Sequence, residues 1–126
     1  MRDIKFRFIW EAQETKSKDR FICRIITLDE IGSAWAATPY VKDKPAKLIA
    51  KRQFTGLTDK NGVDIYEGDI VSHNKGHTWE VSYYEQEARF AFKSKPPLIR
   101  LMHKDSSHNY EVIGNIHQNP ELLEDK

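Results

Sequence analysis

The chain has 126 residues, of which 39% are hydrophobic and 31% are charged, so one domain, or one core with a small subdomain, is expected. Its net charge of +1 excludes the marked basic excess typical of proteins that bind duplex nucleic acid. No apolar run approaches the ~20 residues that cross a bilayer, and the N-terminal residues do not match a signal peptide. The single cysteine, Cys23, cannot form an internal disulfide, so we expect a cytoplasmic setting and no membrane contact.

The N-terminal third predicts two strands followed by an irregular connector. Residues 4–8 alternate apolar and basic side chains, which indicates a strand with one buried face. Residues 21–28 are apolar at most positions, so we predict a strand buried on both faces, with Cys23 as a small buried hydrophobe. The polar residues 11–19 suit a hairpin loop or a short exposed turn of helix. Residues 29–45, with one glycine and two prolines, are interpreted as a connector that could contain a helical turn.

The rest of the chain predicts a regular series of short strands. Asn61-Gly62 separates two strand-like pieces, and this dipeptide is a strong signal for a β-hairpin because both residues accept positive φ at low cost. At the C-terminus, Asn119 can cap a helix, with Pro120 in its first turn and two leucines placed to pack on the sheet. The strand-like pieces are residues 47–54, 63–66, 68–73, 79–83, 89–93, 98–102 and 110–116.

This pattern predicts a mainly β protein, a β-rich α+β fold with a short C-terminal helix. Short strands with turns about every eight to twelve residues favour a small barrel or a strongly curved antiparallel sheet. We expect an N-terminal β-rich subdomain with its connector over residues 1–50, and the barrel with the C-terminal helix over residues 51–126.

The stretch of residues 56–71 is the first candidate for ligand chemistry, because it combines glycines with four carboxylates. A phosphate-binding loop needs several glycines ahead of a helix, and no helix-forming run follows here. The stretch also lacks the alternating oxygen ligands and the terminal glutamate of an EF-hand loop. We therefore predict two turns, a hairpin corner and an exposed turn, in the second of which Gly68 takes positive φ and Asp69 bonds nearby amides. The four carboxylates are those of Asp59, Asp64, Glu67 and Asp69.

The histidines are the second candidate for a site. Zinc needs four ligands, or three with an open position, and without an HExxH segment or a cysteine pair a metal site would require distant histidines to converge. The chain also lacks a P-loop, a GxSxG segment and a Ser-His-Asp order. We therefore predict no catalytic, cofactor-binding or metal-binding residue and no enzyme, with a metal-dependent enzyme as a third hypothesis. The histidines are His73, His77, His103, His108 and His117.

Aromatic residues concentrate on two consecutive predicted strands. Alternate members should fill the core, which is the common role of such a stripe in a small β-barrel. Tyr84, together with Tyr66 or Tyr110, could instead face outward, where aromatics beside Lys and Arg stack on unpaired bases or anchor a partner protein. The aromatic group consists of Trp79, Tyr83, Tyr84, Phe90 and Phe92.

Three blocks of the chain carry a family likeness: MRDIKFRFIW at residues 1–10, QFTGLTDKNGVDIYEGDIV at 53–71 and EVIGNIHQNPELLE at 111–124. In this order they resemble the YopX family of bacteriophage and prophage proteins. The resemblance implies a mostly β protein in which a small SH3-like barrel follows a shorter β-rich part. It also implies a phage or prophage origin and a cytoplasmic location in the bacterial host. It brings no catalytic mechanism and no active-site residue, and residues 29–45 and 72–108 match the family pattern poorly.

The leading hypothesis is an accessory protein that acts as a non-enzymatic binding module, through contacts with a protein partner or with further copies of itself. Small barrels leave short open edges that accept another strand. The alternative is a nucleic-acid-binding accessory protein, which would hold single strands with exposed aromatics and the basic residues 42–52; residues 89–100 are also mildly basic. The individual binding residues are not identified by the sequence.

Overall fold

The computed structural model describes residues 4–12, 20–27, 30, 39–41, 44–73, 77–94, 98–102 and 106–123. Most of these residues are in strands, so the prediction of a mainly β protein is confirmed. The chain folds into two compact units, Met1–Gln53 and Phe54–Lys126.

The first unit is an antiparallel sheet built on the alternating strand at the N-terminus. Strand β1 (Lys5–Ala12) pairs with β2 (Phe21–Thr27) on one side and with β4 (Lys44–Thr58) on the other, and the short β3 (Tyr40–Val41) pairs with β4. The register of β1 on β4 shifts between Ile9 and Trp10. The core of this unit lies on one face and consists of Phe8, Trp10, Ala12, Ile26 and Ala46, with Phe6, Ile22 and Leu48 packed against it.

Strand β2 is more exposed than its sequence predicts. Among the described strands it pairs only with β1 and so lies at the edge of the sheet. Cys23, Arg24 and Ile25 are exposed, and Ile26 is the only described residue of β2 that is buried. The prediction of a strand buried on both faces, with Cys23 inside, is therefore wrong. A run of apolar residues predicts a strand, but the position of that strand in the sheet decides how much of it is buried.

The second unit contains the regular strand series. Its strands are β5 (Asp64–Tyr66), β6 (Asp69–His73), β7 (His77–Tyr84), β8 (Arg89–Ser94), β9 (Leu98–Leu101) and β10 (Tyr110–Asn115). The sheet order is β10-β6-β7-β8-β9, all antiparallel, while β5 pairs with the end of β4. These strands confirm the predicted series. The core consists of Ile65, Val71, Trp79, Val81, Phe92, Met102 and Tyr110.

Two finer predictions for this unit are corrected. The described strands form sheets that do not close, since β9 and β10 end the order without pairing to each other, and an SH3-like barrel is not confirmed. Closure depends on the pairing of the first and last strands, which local patterns do not encode. The predicted C-terminal helix is only the 3-10 turn Pro120–Leu123.

Several predictions fall partly outside the described residues. The predicted loop at 11–19 begins within β1, and its residues 13–19 are outside. Of the connector 29–45, the described part contains β3 and the start of β4, while the proposed helical turn at 33–37 lies outside. In the part of the chain that is described, no helix is both long and apolar enough to span a bilayer.

Candidate functional site

Asp59 directly follows β4 and is the central residue of the turn at residues 59–62. We call this turn the first signature turn, because it lies in the block at 53–71, and we call the blocks at 53–71 and 111–124 the signature blocks. Asp59 is 2% exposed. Its Oδ1 accepts hydrogen bonds from the backbone N–H groups of Asn61 at 2.8 Å and Val63 at 2.9 Å. Its Oδ2 accepts a third from the N–H of Val112 at 2.9 Å. Because Val112 belongs to β10, this one carboxylate ties the turn to a strand far away in sequence.

Backbone hydrogen bonds complete the turn around Asp59. The N–H of Gly62 donates to the Asp59 carbonyl at 3.0 Å, and the N–H of Lys60 donates to the Tyr110 carbonyl at 2.9 Å. Gly62 has φ of +80°, whereas Asn61 does not take a positive φ. The predicted hairpin corner is confirmed, with the glycine alone supplying the left-handed conformation.

Gly68 and Asp69 belong to the turn at residues 67–69, which we call the second signature turn. Gly68 has φ of +89°, its N–H donates to the Val81 carbonyl at 2.8 Å, and its own carbonyl accepts from the N–H of Ile116 at 2.9 Å. The Oδ2 of Asp69 accepts from the N–H of Tyr66 at 2.8 Å. This confirms the prediction that Gly68 bends the chain and that Asp69 bonds a nearby amide.

The prediction that the carboxylates of the second turn are exposed is wrong, since Asp69 is buried and Glu67 is half-buried. Asp59 and Asp69 are 2% and 0% exposed, while Asp64 and Glu67 are half-buried. A buried carboxylate needs hydrogen-bond donors, and backbone N–H groups at the turns supply them. The predicted turns are correct, but their acidic residues lie inside the unit.

The C-terminal signature block folds back on itself through Asn115 and Asn119. Asn115 Oδ1 accepts from the N–H groups of His117 at 3.0 Å and Gln118 at 2.9 Å. Asn119 Oδ1 accepts from the N–H of Asn115 at 3.2 Å, so its side chain does not act as the predicted N-cap of the following turn. A Cβ on Gly114 would lie 2.6 Å from Asn119 Oδ1, so only glycine allows this approach.

A different kind of surface lies at the β9 end of the β10-β6-β7-β8-β9 sheet. Strand β9 pairs with β8 and with no other described strand. Leu98 is 53% and Ile99 is 44% exposed, and Arg100 beside them is also exposed. We call Leu98, Ile99 and Arg100, with the backbone edge that carries them, the β9 edge. The sequence identified this segment only as a strand; its position at the end of the sheet needed the structure.

The chain matches the model of a protein family over almost its whole length. The model of the family described as YopX protein matches residues 5–124. The chain belongs to the YopX family. The family resemblance in the sequence is therefore confirmed, and the geometry assigns the blocks at 53–71 and 111–124 a structural role, since they bond to one another through Asp59 and Gly68.

A solved structure has a similar fold. The crystal structure of protein EF1440 from Enterococcus faecalis is 24% identical to this chain, with a TM-score of 0.54, and the alignment covers 98% of this chain and 100% of that one. At this identity the likeness concerns the fold alone. A comparison with curated proteins found no match to the chain.

The structure does not bring the described histidines of this YopX-family chain together as metal ligands. His73 and His77 stand opposite each other on β6 and β7, and the His73 ring packs on Tyr110 with centroids 4.7 Å apart. Among the described residues, no three His, Cys, Asp or Glu side chains converge on one point. Of the other histidines, His108 is exposed, His117 is half-buried and His103 lies outside the described residues.

The tyrosines proposed as outward-facing are mostly inside. Tyr66 and Tyr110 are each 2% exposed. Tyr110 stacks on Phe92 with ring centroids 3.8 Å apart, and Tyr66 packs on a phenylalanine of β4. Tyr84 is half-buried, and Tyr83 is instead 46% exposed with its ring against the edge of Phe90. The predicted outward position is therefore wrong for Tyr66 and Tyr110, because aromatic partners from other strands cover them.

The described basic residues within 44–52 do not follow one face of the sheet. In the register of β4 on β1, Lys51 is opposite Phe8, whereas Arg52 is opposite Arg7. Successive residues of a strand point to opposite faces, so these two cations are divided between the faces. This geometry does not provide the single cationic track that a nucleic-acid strand would follow.

Glu30, outside the signature blocks, has a pKa below its usual range. The backbone N–H of Thr27 donates to Glu30 Oε1 at 3.1 Å, and the Thr27 hydroxyl donates to the same oxygen at 3.0 Å. Both bonds favour the ionised carboxylate and lower its pKa, the backbone bond contributing more. Glu30 is exposed, so this contact caps the end of β2 rather than forming a buried site.

Proposed function

We propose that this YopX-family protein is a non-enzymatic binding module of phage or prophage origin that acts through protein–protein contacts in the bacterial cytoplasm. The observation that carries the proposal is a division of roles between side chains. The side-chain oxygens of Asp59, Asp69 and Asn115 accept hydrogen bonds from the protein's own backbone. The β9 edge instead presents aliphatic side chains to solvent.

The engagement of the signature residues supports a non-catalytic role. A general acid or base has to lie within hydrogen-bond reach of the group with which it exchanges a proton. Asp59 and Asp69 are buried and accept bonds from backbone amides, and Asn115 accepts two such bonds. These residues are suited to holding turns in place.

The exposed aliphatic residues at strand edges support a role in protein binding. Open strand edges are sites where another chain can add a strand, and soluble proteins commonly protect them with charges, prolines or covering segments. On β9, Leu98 and Ile99 are both exposed, one on each face of the strand. On β2, Ile25 is 49% exposed at the edge of the other sheet. Such edges fit recognition by strand addition.

Capture from a bacterial lysate, combined with light scattering, tests the proposal. The full chain is immobilised, the lysate is treated with nuclease, and retained proteins are quantified against a column without protein. We expect a partner retained in near-stoichiometric amount, or a mass above that of the monomer in light scattering. A strict monomer across the concentration range, with no enriched protein, would contradict the proposal.

A salt series with single-stranded oligonucleotides separates the alternative. Phosphate contacts give an affinity that falls steeply as salt rises. We expect no binding at low salt from the wild-type chain. Tight binding with a steep salt dependence would favour the nucleic-acid function over protein binding.

A further inference from the structure

The open side of β9 is identified by the hydrogen bonds on its paired side. The N–H of Met102 donates to the Phe90 carbonyl at 3.1 Å, and Phe92 is opposite Arg100 in the same register. In an antiparallel pair, residues alternate between those that bond the neighbour and those whose N–H and C=O point away. The backbone groups of Ile99 and Leu101 therefore point away from β8, toward the open side.

The charge around the β9 edge is one-sided. Residues 89–102 contain four basic residues and no aspartate or glutamate. Within the described part of this segment, Lys93 and Arg100 are exposed. Lys93 is opposite Glu80 of β7 in the ladder, so Arg100 is the cation nearest the open edge that has no acid opposite it in the register.

Arg100 lies beside Trp79, whose indole N–H is a buried hydrogen-bond donor. The Arg100 guanidinium lies 5.2 Å from the centroid of the Trp79 ring. The Trp79 indole N–H is buried and has no acceptor among the described residues, although a buried indole N–H usually has one. The ring contact holds the guanidinium in place while Arg100 stays exposed, so its N–H groups can donate to an acidic side chain of a partner.

We infer that β9 binds, as an added strand, an extended segment of a partner protein that carries aliphatic and acidic side chains. The inference rests on the proposed protein-binding function and assigns it a site and a partner chemistry. Backbone groups of Ile99 and Leu101 pair with the added strand, Leu98 and Ile99 contact its aliphatic side chains, and Arg100 pairs with its carboxylate.

Two observations favour this occupant over the other choices. A second copy of the chain would place one cationic β8-β9 hairpin beside another, with no acidic residue in either to pair with Arg100. The opposite edge of the sheet, β10, is already tied to the first signature turn, because Val112 donates to Asp59 and the Tyr110 carbonyl accepts from Lys60. Among the described strands, the β9 edge is therefore the more accessible of the two ends of this sheet.

The variant Ile99→Pro tests the backbone pairing, with Ile99→Val as its matched control. Proline removes the N–H that points to the open side, and an edge strand tolerates proline there because its bonds to β8 are made by the neighbouring residues. Valine keeps the N–H and most of the apolar side chain. Circular dichroism checks that both variants keep the wild-type fold.

The probe is a displayed library of random linear peptides, selected on the full chain. We expect the selected peptides to combine aliphatic with acidic residues, to bind I99V nearly as well as wild type, and to lose roughly tenfold or more in affinity for I99P. Equal binding to I99V and I99P, or selection of peptides without acidic residues, would overturn the inference. So would a library that yields no binder, while a partner captured from lysate would still support the proposed function.

Charge reversal at Arg100 provides an independent readout if I99P does not fold. For R100E we expect affinity for the acidic peptides to fall roughly tenfold or more, and affinity to be regained when their acidic residues are replaced by lysine. Unchanged affinity would contradict the assigned role of Arg100. A wild-type dimer that R100E or I99P converts to monomer would instead assign the edge to a second copy and overturn the inference.

Discussion

Replacement of Asp59 by asparagine should destabilise the protein through loss of one acceptor oxygen. Asparagine has nearly the same shape, so D59N preserves packing. Its remaining oxygen can keep the bonds from Asn61 and Val63, but its NH2 group then faces the N–H of Val112, donor against donor. Any destabilisation therefore reports on hydrogen bonding rather than on a cavity.

The expected loss for D59N is about 2–4 kcal/mol of unfolding free energy. Bonds to a charged acceptor contribute about 1.5–3 kcal/mol against about 0.5–1.5 for neutral ones, so each retained bond weakens by about 1 kcal/mol. The unsatisfied donor at Val112 costs a further ~1–3 kcal/mol. Because asparagine is neutral, its burial costs less free energy than burial of the carboxylate, and this difference offsets part of the destabilisation. The result is large for domains whose total stability is about 5–15 kcal/mol.

Urea unfolding followed by tryptophan fluorescence measures this loss. With a slope of about 2 kcal/mol per molar urea, the middle of the typical range, the midpoint should fall by about 1–2 M. Amide hydrogen exchange provides the local readout, since the Val112 N–H should lose protection. Glu87→Gln is the matched control, because it removes the same charge from an exposed residue and should change stability by less than about 0.5 kcal/mol. If D59N is no more destabilising than E87Q, or if Val112 exchange is unchanged, the structural role assigned to Asp59 is refuted.

Three further changes test other contacts. Gly114→Ala places a methyl group 2.6 Å from Asn119 Oδ1 and should cost about 1–3 kcal/mol in urea unfolding; the added change Asn119→Ala should recover part of it, and no recovery would argue against the clash. Ala88 has φ of +52°, so Ala88→Gly should stabilise the protein by about 0.5–1 kcal/mol, and a loss of stability would contradict strain there. In an NMR titration, Thr27→Val should raise the pKa of Glu30 toward its usual range but not fully, because the backbone bond remains. Because folding lowers the pKa of Glu30, the contact with Thr27 stabilises the fold at pH values above the usual glutamate pKa. This stabilisation is lost as the pH falls through the lowered pKa of the folded protein. An unchanged Glu30 pKa in T27V would exclude the Thr27 hydroxyl as a cause of the shift.

The strands and turns were predictable because their signals are local. Alternation at Phe6 and Phe8 predicts a strand, and β1 confirms it. The predicted single buried face is not confirmed, because Ile4 is exposed and Ile9 is buried as well as Phe8. Gly62 and Gly68 stand where the chain needs positive φ, a requirement that neighbouring residues largely determine. The family signature was recognisable for the same reason, since its blocks are continuous in sequence.

The role of the signature residues required the tertiary structure. The carboxylate of Asp59 bonds Val112, which is 53 residues away, and no local pattern connects them. Tyr66 and Tyr110 are buried by rings from other strands, so their environment could not be read from their neighbours in sequence. The β9 edge could not be predicted for the same reason. Residues 98–101 predict a strand, but they do not show that this strand lies at the end of the sheet.

The amino-acid sequence by itself therefore determined which segments become strands, where the chain turns and to which family it belongs, because backbone propensity and side-chain alternation act over a few residues. Only the tertiary structure decided that β2 and β9 lie at sheet edges among the described strands, that these strands form sheets that do not close, and that Asp59 and Asp69 are buried. The physical reason is that burial and edge position depend on which distant strands pair, and that choice is made by the free energy of the whole fold.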